Sequence, residues 1–563
     1  MSAMTRFSAL GALALAAACS ATPADGPAAG NAGAAGSAGA PASPVGPAPM
    51  VEGPRQSQCA AGESDKPGYR MLRRLSQAEY NRTLAAAFGV AESDWQAIEF
   101  PGEIRQRGVY DSYSDALAIN ESIQNALLEK TNDRAEALLS GASSVLVAPC
   151  TAGAIDSACS EAMVRHYGYR LFRRPLGDQE VSDYVGLFTS ATTTLGLAAD
   201  QALAGVLAAL MHSPYTLYIE QLGTAEGTQF RLGPYEIASV LAYGLTGTAP
   251  SPALLDRVGT GALAMPAGIT AVAQELEQSA AGQQHLTRFF DAWLGWDDVK
   301  FVSKDPAVYQ LSPELAQAMA DEQRLLVQAT YTAGGGLSEL LLSPSTYVNQ
   351  LLAQHYGWPA EGLGQELVAR PRPAGQGLGA LAQGAFLTRA ATSNSSSPTQ
   401  RGVYVLSTLG CLELGQPPPV VPEIVPPTTE ITTRERYETV HGVSGCSACH
   451  GRFDPIGFGL ENFDGVGRYR TQEVGKPIDA SGSFRDFAGV SFNGPEELAR
   501  ALAAQPQLHQ CFAGHVASYV FGVSVTDGQC IAPPGAYAAT TGIGFRSVVD
   551  QVATAQHLAL RAP

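Results

Sequence analysis

The interpretation of this chain depends on the stretch CSACHGRFDPIGFGLENFDGVGRYR, from Cys446 to Arg470. It opens with the pattern Cys446-x-x-Cys449-His450. In this order, two thiols can add to the two vinyl groups of a haem while the adjacent histidine reaches the iron from one face. The pattern therefore predicts one covalent haem c, with Cys446 and Cys449 as thioether links and His450 as the proximal iron ligand.

Three other uses of the motif are weaker. A structural zinc site needs a second ligand pair roughly 12 to 20 residues away, and after His450 the next Cys or His is His509. A redox disulfide of the thioredoxin type needs a βαβ pattern, which the flanking sequence lacks. A plain disulfide across two residues is the third alternative. Haem c is the favoured prediction.

The sixth ligand of the iron separates two classes of function. Electron-transfer haems are usually six-coordinate, whereas peroxidatic haems keep an open position. The last methionine, Met319, lies a whole module upstream of the motif. The local candidates are therefore His441, His509 and His515. His515, within the helical pattern CFAGHVASYVFG, is slightly favoured. For His441, which is close to the motif along the chain, a role as a hydrogen-bond partner only is the alternative. An open site is the other alternative for the iron.

Several oxygen-bearing side chains follow the motif among glycines. One hypothesis is a calcium site, because hard oxygen ligands on a bending chain suit that ion. The favoured interpretation is capping, turn chemistry and hydrogen bonds to Arg468 or to a haem propionate. The residues concerned are Asp454, Glu461, Asn462 and Asp464.

The N-terminal sequence MSAMTRFSALGALALAAACS predicts a signal peptide over residues 1–19, with a positive start and an apolar run too short to span a bilayer. We expect lipid on Cys19, with ordinary cleavage after Ala18 as the alternative. Residues 20–66 are rich in Ala, Gly and Pro and predict a disordered tether. The expected location is the periplasm, outer membrane or cell surface, with a lipid anchor rather than a transmembrane helix.

Charge and cysteine usage narrow the class further. A net charge of -17 argues against nucleic-acid binding, which needs clustered Lys and Arg. Apart from Cys19, Cys446 and Cys449, six of the nine cysteines remain, an even number that in an exported chain predicts disulfides. Proximity favours Cys150–Cys159 and Cys511–Cys530, and elimination leaves Cys59–Cys411.

The hydrophobic periodicity predicts a mainly α, multi-module protein with a cytochrome-c-like haem segment near the C-terminus. Ser76 with Glu79 forms a capping box, and Ser-Pro pairs predict helix starts at 312, 343 and 397. Residues 472–492 predict a hairpin or loop, and the pair Arg173–Arg174 predicts a solvated helix end. The predicted boundaries are helical modules at 67–140, 155–223 and 228–357, a haem module at 375–476 and a C-terminal helical module at 487–557.

The chain resembles a bacterial family of exported, planctomycete-type cytochrome-like proteins built from five consecutive domains of unknown function. The resemblance rests on LRRLSQAEYNRTL, YRLFRRPLGDQE, GPYEIASVLAYGLTG, SSSPTQRGVYVLSTLGC with the haem motif, and FNGPEELARAL, in that order. It implies a c-type haem protein whose physiological role is mostly unassigned. We expect electron transfer with an unknown redox partner protein. The alternatives are a haem-dependent peroxidase or oxygenase acting on a surface polymer, and a non-enzymatic binding platform.

Overall fold

A computed structural model describes residues 72–101, 110, 117–140, 150, 155–412, 414–415, 424–443, 445–487, 489–522, 542–554 and 556–561. The predicted signal peptide, the lipid site at Cys19 and the tether over 20–66 lie outside the described residues. Most of the proline-rich stretch GQPPPVVPEIVPP, residues 415–427, also lies outside them.

The described chain is mainly helical, which confirms the mainly α part of the predicted fold class. Its α-helices are α1 Gln77–Phe88, α2 Glu121–Ser140, α3 Ser157–Phe172, α4 Asp178–Thr193, α5 Ala199–His212, α6 Pro214–Leu217, α7 Pro234–Thr246, α8 Pro252–Gly259, α9 Pro266–Gln278, α10 Ala280–Leu294, α11 Pro313–Thr332, α12 Leu337–Leu342, α13 Gln350–Tyr356, α14 Gly384–Arg389, α15 Pro398–Tyr404, α16 Thr433–His441, α17 Ser447–Phe458, α18 Pro495–Ala503, α19 Pro506–Phe521, α20 Phe545–Thr554 and α21 Gln556–Ala559. A π-helical segment, Val405–Leu409, extends α15.

Short antiparallel strands connect the helices. They are β1 Arg73–Arg74, β2 Tyr218–Ile219, β3 Thr224–Glu226, β4 Gln229–Arg231, β5 Ser345–Val348, β6 Val368–Pro371, β7 Gln472–Glu473, β8 Lys476–Pro477, β9 Ser481–Ser483, β10 Ser491–Asn493 and β11 Leu560–Arg561. The pairs β7–β8 and β9–β10 confirm the hairpin predicted after the motif. In the sheet β11-β4-β3, the last described residues pair with a strand that precedes α7.

Helix starts follow their capping signals at most positions. The Ser76 side chain accepts from Glu79 N while the Glu79 side chain accepts from Ser76 N, as the capping box predicts. Ser312 and Ser397 likewise cap α11 and α15, each with proline at the first helical position. The prediction of a helix start at Ser343 is wrong. Residues 345–348 form β5 instead, and the helix begins only after Asn349.

The strand at β5 has a physical cause. Its sequence Ser-Thr-Tyr-Val is β-branched and aromatic, which favours a strand over a helix. Thr346 is fully buried and donates a 2.6 Å hydrogen bond to the buried carboxylate of Glu322. The same carboxylate accepts a hydrogen bond from Tyr356 at 2.6 Å. The buried Glu322 therefore connects β5 and α13 to α11.

The predicted modules share one continuous hydrophobic core. At its centre Phe289, Phe290 and Trp293 of α10 pack against Phe512 of α19 with ring centroids 5.1 to 6.1 Å apart. These helices come from the third and the last predicted modules. The last module is therefore part of the common core rather than an appended domain.

Of the three predicted disulfide pairings, one is confirmed and two are wrong. Cys150–Cys159 is present, as predicted. Cys411 pairs with Cys511, with 5.4 Å between their Cα atoms, so the predictions Cys511–Cys530 and Cys59–Cys411 are wrong. Nearness in sequence misled the prediction, because α19 packs beside the π-helical segment that precedes Cys411 although 100 residues separate the two cysteines. Cys59 and Cys530 lie outside the described residues.

The prediction that Arg173–Arg174 is a solvated helix end is also wrong. Arg173 is 1% exposed and has φ 61°, a left-handed conformation that ends α3. Its guanidinium donates to the backbone carbonyls of Tyr215 and Tyr218 at 2.6 Å each. Arg173 is therefore a buried side chain that holds the end of α6 and the start of β2 through hydrogen bonds. Of the two arginines, only Arg174 forms partly exposed ion pairs.

No helix within the described ranges is both long and apolar enough to cross a bilayer.

Candidate functional site

The Cys-x-x-Cys-His motif lies at the start of helix α17. Cys446 is the residue before the helix, Cys449 and His450 fall in its first turn, and His450 is partly exposed. Cys446 is half-buried and Cys449 exposed, and both are free thiols. The other four described cysteines are in disulfides. Neither motif cysteine is paired in a disulfide, so both thiols could take part in covalent attachment to a cofactor.

Helix α15 supports α17 through two glycines at their crossing. A Cβ on Gly402 would lie 1.8 Å from the backbone oxygen of Phe453, and one on Gly457 would lie 1.9 Å from that of Pro398. Any side chain at these positions would push the helices apart. The two glycines therefore set how deeply the motif helix sits on α15.

A carboxylate is shared by two histidines behind the motif. Nδ1 of His441, the last residue of α16, lies 2.5 Å from Oδ2 of Asp454. Nδ1 of His450 lies 3.3 Å from the same Oδ2 and 3.4 Å from Oδ1. The rings of His441 and His450 stack with their centroids 3.4 Å apart. The three side chains are the first component of the site.

The electrostatics of the shared carboxylate follow from its neighbours. Burial by itself would raise the pKa of Asp454, but hydrogen bonds from His441, His450 and Thr399 outweigh it and leave the pKa below its ordinary value. Thr399, in the first turn of α15, donates to Oδ1 at 2.6 Å. Asp454 is therefore ionised at neutral pH. Because an ionised carboxylate only accepts, each histidine carries its proton on Nδ1.

A buried charge network fixes the loop that follows α17. Arg401 of α15 is 0% exposed and donates to the carbonyls of Leu460, Phe463 and Asp464 at 2.7 to 2.9 Å. Its guanidinium also faces Glu461 at 3.4 Å, and Arg470 pairs with the same carboxylate at 3.0 Å. The segment Ser-Pro-Thr-Gln-Arg-Gly thus holds both the motif helix and its exit loop.

The side chains considered as calcium ligands make hydrogen bonds within the protein. Asp464 accepts from the backbone N of Val466 and Arg468 at 2.9 Å each and from the Arg468 side chain at 2.8 Å. Asn462 donates to the carbonyl of Arg470 at 3.1 Å. These contacts are those of the turn and hydrogen-bond interpretation. Among the described residues, the one of these side chains grouped with other ligand atoms at metal distances is Asp454, with His441 and His450.

His515 lies in a different environment from the motif. It is fully buried in α19, where Nδ1 is 2.9 Å from the Tyr110 hydroxyl and Nε2 is 3.2 Å from the Thr408 carbonyl. Burial lowers its pKa to about 3, so it is neutral. Its ring packs against Trp293 beside the Cys411–Cys511 bridge. Both ring nitrogens are therefore engaged within the core.

The donor set fits a covalent haem. The two free thiols precede a histidine whose Nδ1 faces a carboxylate. Its Nε2 makes no hydrogen bond to any residue that the structure describes. With Nδ1 protonated, the Nε2 lone pair is available to a metal.

Sequence reasoning found the motif but missed the role of two neighbours. The sequence pattern does not single out Thr399, and it places Asp454 only among the oxygen-bearing side chains that follow the motif. The spacing of His450 and Asp454, four residues apart on one helix, is the signal that could have paired them. No sequence spacing indicates Thr399, because α15 and α17 meet only in the folded chain.

Three parts of the chain match models of planctomycete cytochrome-like domain families, each described as a protein of unknown function. PSD5 (DUF1595) matches residues 159–220, PSD4 (DUF1592) residues 232–358 and PSCyt3 (DUF1588) residues 377–473. The PSCyt3 match contains the motif, His441, Asp454 and Thr399, but not His515. Neither a curated protein nor a solved structure matches the chain.

Proposed function

We propose that the protein is an exported c-type haem protein that carries one covalent haem. The observation that carries the proposal is the state of the motif: Cys446 and Cys449 are accessible thiols, and the adjacent His450 turns Nδ1 to a carboxylate and leaves Nε2 without a described partner. The match of the surrounding residues to a cytochrome-like domain supports it.

In this proposal each side chain of the site has a separate task. Cys446 and Cys449 would hold the haem through two thioether links, and His450 would bind its iron through Nε2. When bound, the haem supplies one-electron redox chemistry. Asp454 holds the His450 ring in the required tautomer, and Gly402 and Gly457 hold the motif helix against α15. Arg401 and Glu461 keep the exit loop in place beside it.

Electron transfer with a partner protein is the favoured role. The motif cysteines lie at the protein surface, with Cys449 exposed, so a group attached there would have an edge within reach of a second protein. A haem-dependent oxidoreductase acting on a surface polymer is the alternative. It requires rapid reaction with peroxide or oxygen at an open iron position, which stopped-flow spectroscopy measures.

Export is part of the proposal. The two described disulfides suit an oxidising compartment, and the matching domain families are typically exported. A lipid on Cys19 would hold the folded body at a membrane surface through the predicted tether over 20–66.

A transition-metal ion bound without haem is the second candidate. Ligand atoms of His441, His450 and Asp454 lie within 4.8 Å of one another, and two imidazoles with a carboxylate suit a zinc site. His441 lies upstream of the motif, outside the downstream residues on which the expectation against zinc rests.

Expression with a c-haem maturation system and a pyridine haemochrome spectrum tests the proposal. We expect one haem per chain, lost when both Cys446 and Cys449 are replaced by Ser. The double variant Cys150→Ser with Cys159→Ser is the matched control, because it removes a cysteine pair elsewhere and should keep the haem. A folded, colourless wild type that carries zinc would contradict the proposal in favour of the second candidate.

A further inference from the structure

We propose that Asp454 is the positioning residue for the axial His450, and that His441 belongs to the same proximal network rather than serving as the sixth ligand. The inference rests on the proposed function, because it concerns how this chain tunes an iron bound by His450.

The first step is the geometry of His441. A metal–imidazole bond is about 2 Å long, so two histidines on opposite faces of one iron have ring centroids roughly 6 Å apart. The rings of His441 and His450 are instead stacked, with centroids 3.4 Å apart and planes 28° from parallel. Both turn Nδ1 towards Asp454. His441 therefore lies beside His450, on the same side of the site.

The second step is how His441 is held there. It is 7% exposed at the end of α16, with its ring edge-on to Tyr437 of the preceding turn. Tyr437 in turn donates to the Ser397 hydroxyl at 3.3 Å, next to the start of α15. To reach the opposite face of an iron, His441 would have to give up the 2.5 Å contact with Asp454.

The third step is the charge on Asp454. A ligating histidine commonly donates its second ring N–H to a carboxylate, which fixes the ring orientation and makes the imidazole a stronger electron donor. A stronger donor stabilises the ferric state and lowers the reduction potential. His441 and Thr399 donate to the same carboxylate and withdraw part of its charge from His450. The three donors therefore compete for one acceptor.

This competition predicts shifts of opposite sign. Asp454→Asn removes the charge and should raise the reduction potential. Thr399→Val keeps the shape of the side chain but removes one donor, so more charge remains for His450 and the potential should fall. The two substitutions change the two partners of one hydrogen bond. If Asp454 had a merely structural role, they would not shift the reduction potential in opposite directions.

The experiment is redox titration of purified haem-loaded protein, with resonance Raman spectra of the ferrous state. Asp479→Asn is the control, because Asp479 is exposed and bonds to Ser481 in the same module, and it should leave the potential unchanged. His441→Ala should shift the potential while the number of axial ligands stays the same.

Two results would overturn the inference. One is a change from six- to five-coordinate iron in His441→Ala. The other is a failure of the Asp454 and Thr399 variants to move the potential in opposite directions. A wild type without a pyridine haemochrome signal would instead refute the proposed function, and this inference with it.

Discussion

Gly402 of α15 lies directly against the backbone of Phe453 in the motif helix, where an added Cβ would meet the Phe453 oxygen at 1.8 Å. The reciprocal contact, Gly457 against Pro398, lies one helical turn further along α17. The position of the candidate haem site therefore depends on glycine at these two positions as much as on the ligands themselves.

Gly402→Ala should displace α17 and lower both stability and haem attachment. Overpacking of this kind typically costs about 1–3 kcal/mol, and a contact with rigid backbone belongs at the upper end. Chemical denaturation and haem content per chain measure the two effects. Gly186→Ala is the control: Gly186 is a glycine of α4 with no atom within 4 Å of an added Cβ, so alanine there should preserve stability or raise it. Equal behaviour of the two variants would contradict this role of the crossing.

The Cys411–Cys511 bridge should contribute more stability than Cys150–Cys159. It spans 100 residues rather than 9, and the entropy model gives about 4.7 kcal/mol for a loop of that length. Denaturation of Cys411→Ala with Cys511→Ala, compared with Cys150→Ala with Cys159→Ala, measures the difference. Peptide mapping without reduction should recover Cys411 linked to Cys511. Recovery of Cys511 linked to Cys530 would refute the pairing.

Stability should depend on pH through Glu277 of α9. Burial, and after it the nearby charge of Asp550, raises the pKa of Glu277 to about 8. Arg546 of α20, 3.6 Å from the Glu277 carboxylate, opposes this shift. Gln274 of α9 donates to Asp550 at 3.3 Å, and Gln283 of α10 donates to the Glu277 backbone.

Because the folded-state pKa of Glu277 is raised, its contribution to stability is complete below its unfolded pKa and is lost as pH rises through about 8. Glu277→Gln should therefore flatten the fall of the melting temperature between roughly pH 5 and 8. Glu275→Gln, an exposed position on the same helix, should not. The same pH profile in Glu277→Gln and wild type would count against this account.

The membrane anchor is a separate prediction. With lipid on Cys19, the mature protein should fractionate with membranes, and Cys19→Ala should release it without loss of haem. Wild-type protein already found in the soluble fraction would indicate ordinary cleavage.

Local features of the fold could be predicted from the sequence because their causes are local. Ser76 and Glu79 bond the free backbone N–H groups at the start of α1, and Ser312 does the same for α11, where Pro313 is the first residue. These bonds form whatever packs against the helices. The helix start predicted at Ser343–Pro344 is wrong because Thr346 forms a buried hydrogen bond with Glu322, which the local sequence pattern cannot show. The prediction for Arg173 is wrong for the same reason, since the carbonyls to which it donates belong to Tyr215 of α6 and Tyr218 of β2.

The candidate haem site shows the same contrast between features with local causes and features that depend on tertiary packing. Cys446, Cys449 and His450 are adjacent in sequence, so their chemistry can be predicted from spacing alone. The sharing of Asp454 between His441 and His450, and the hydrogen bond from Thr399, arise only when α15, α16 and α17 meet. A pairing such as Cys411–Cys511 is equally dependent on how the last helices join the common core.

Tandem mass spectrometry of the motif peptide from protein matured in an exporting host tests the central claim most directly. The account predicts a single haem on the peptide that contains residues 446–450, joined by thioether bonds to both Cys446 and Cys449. Unmodified thiols or a Cys446–Cys449 disulfide on that peptide, in a folded protein from a host that matures other c-type haem proteins, would contradict it.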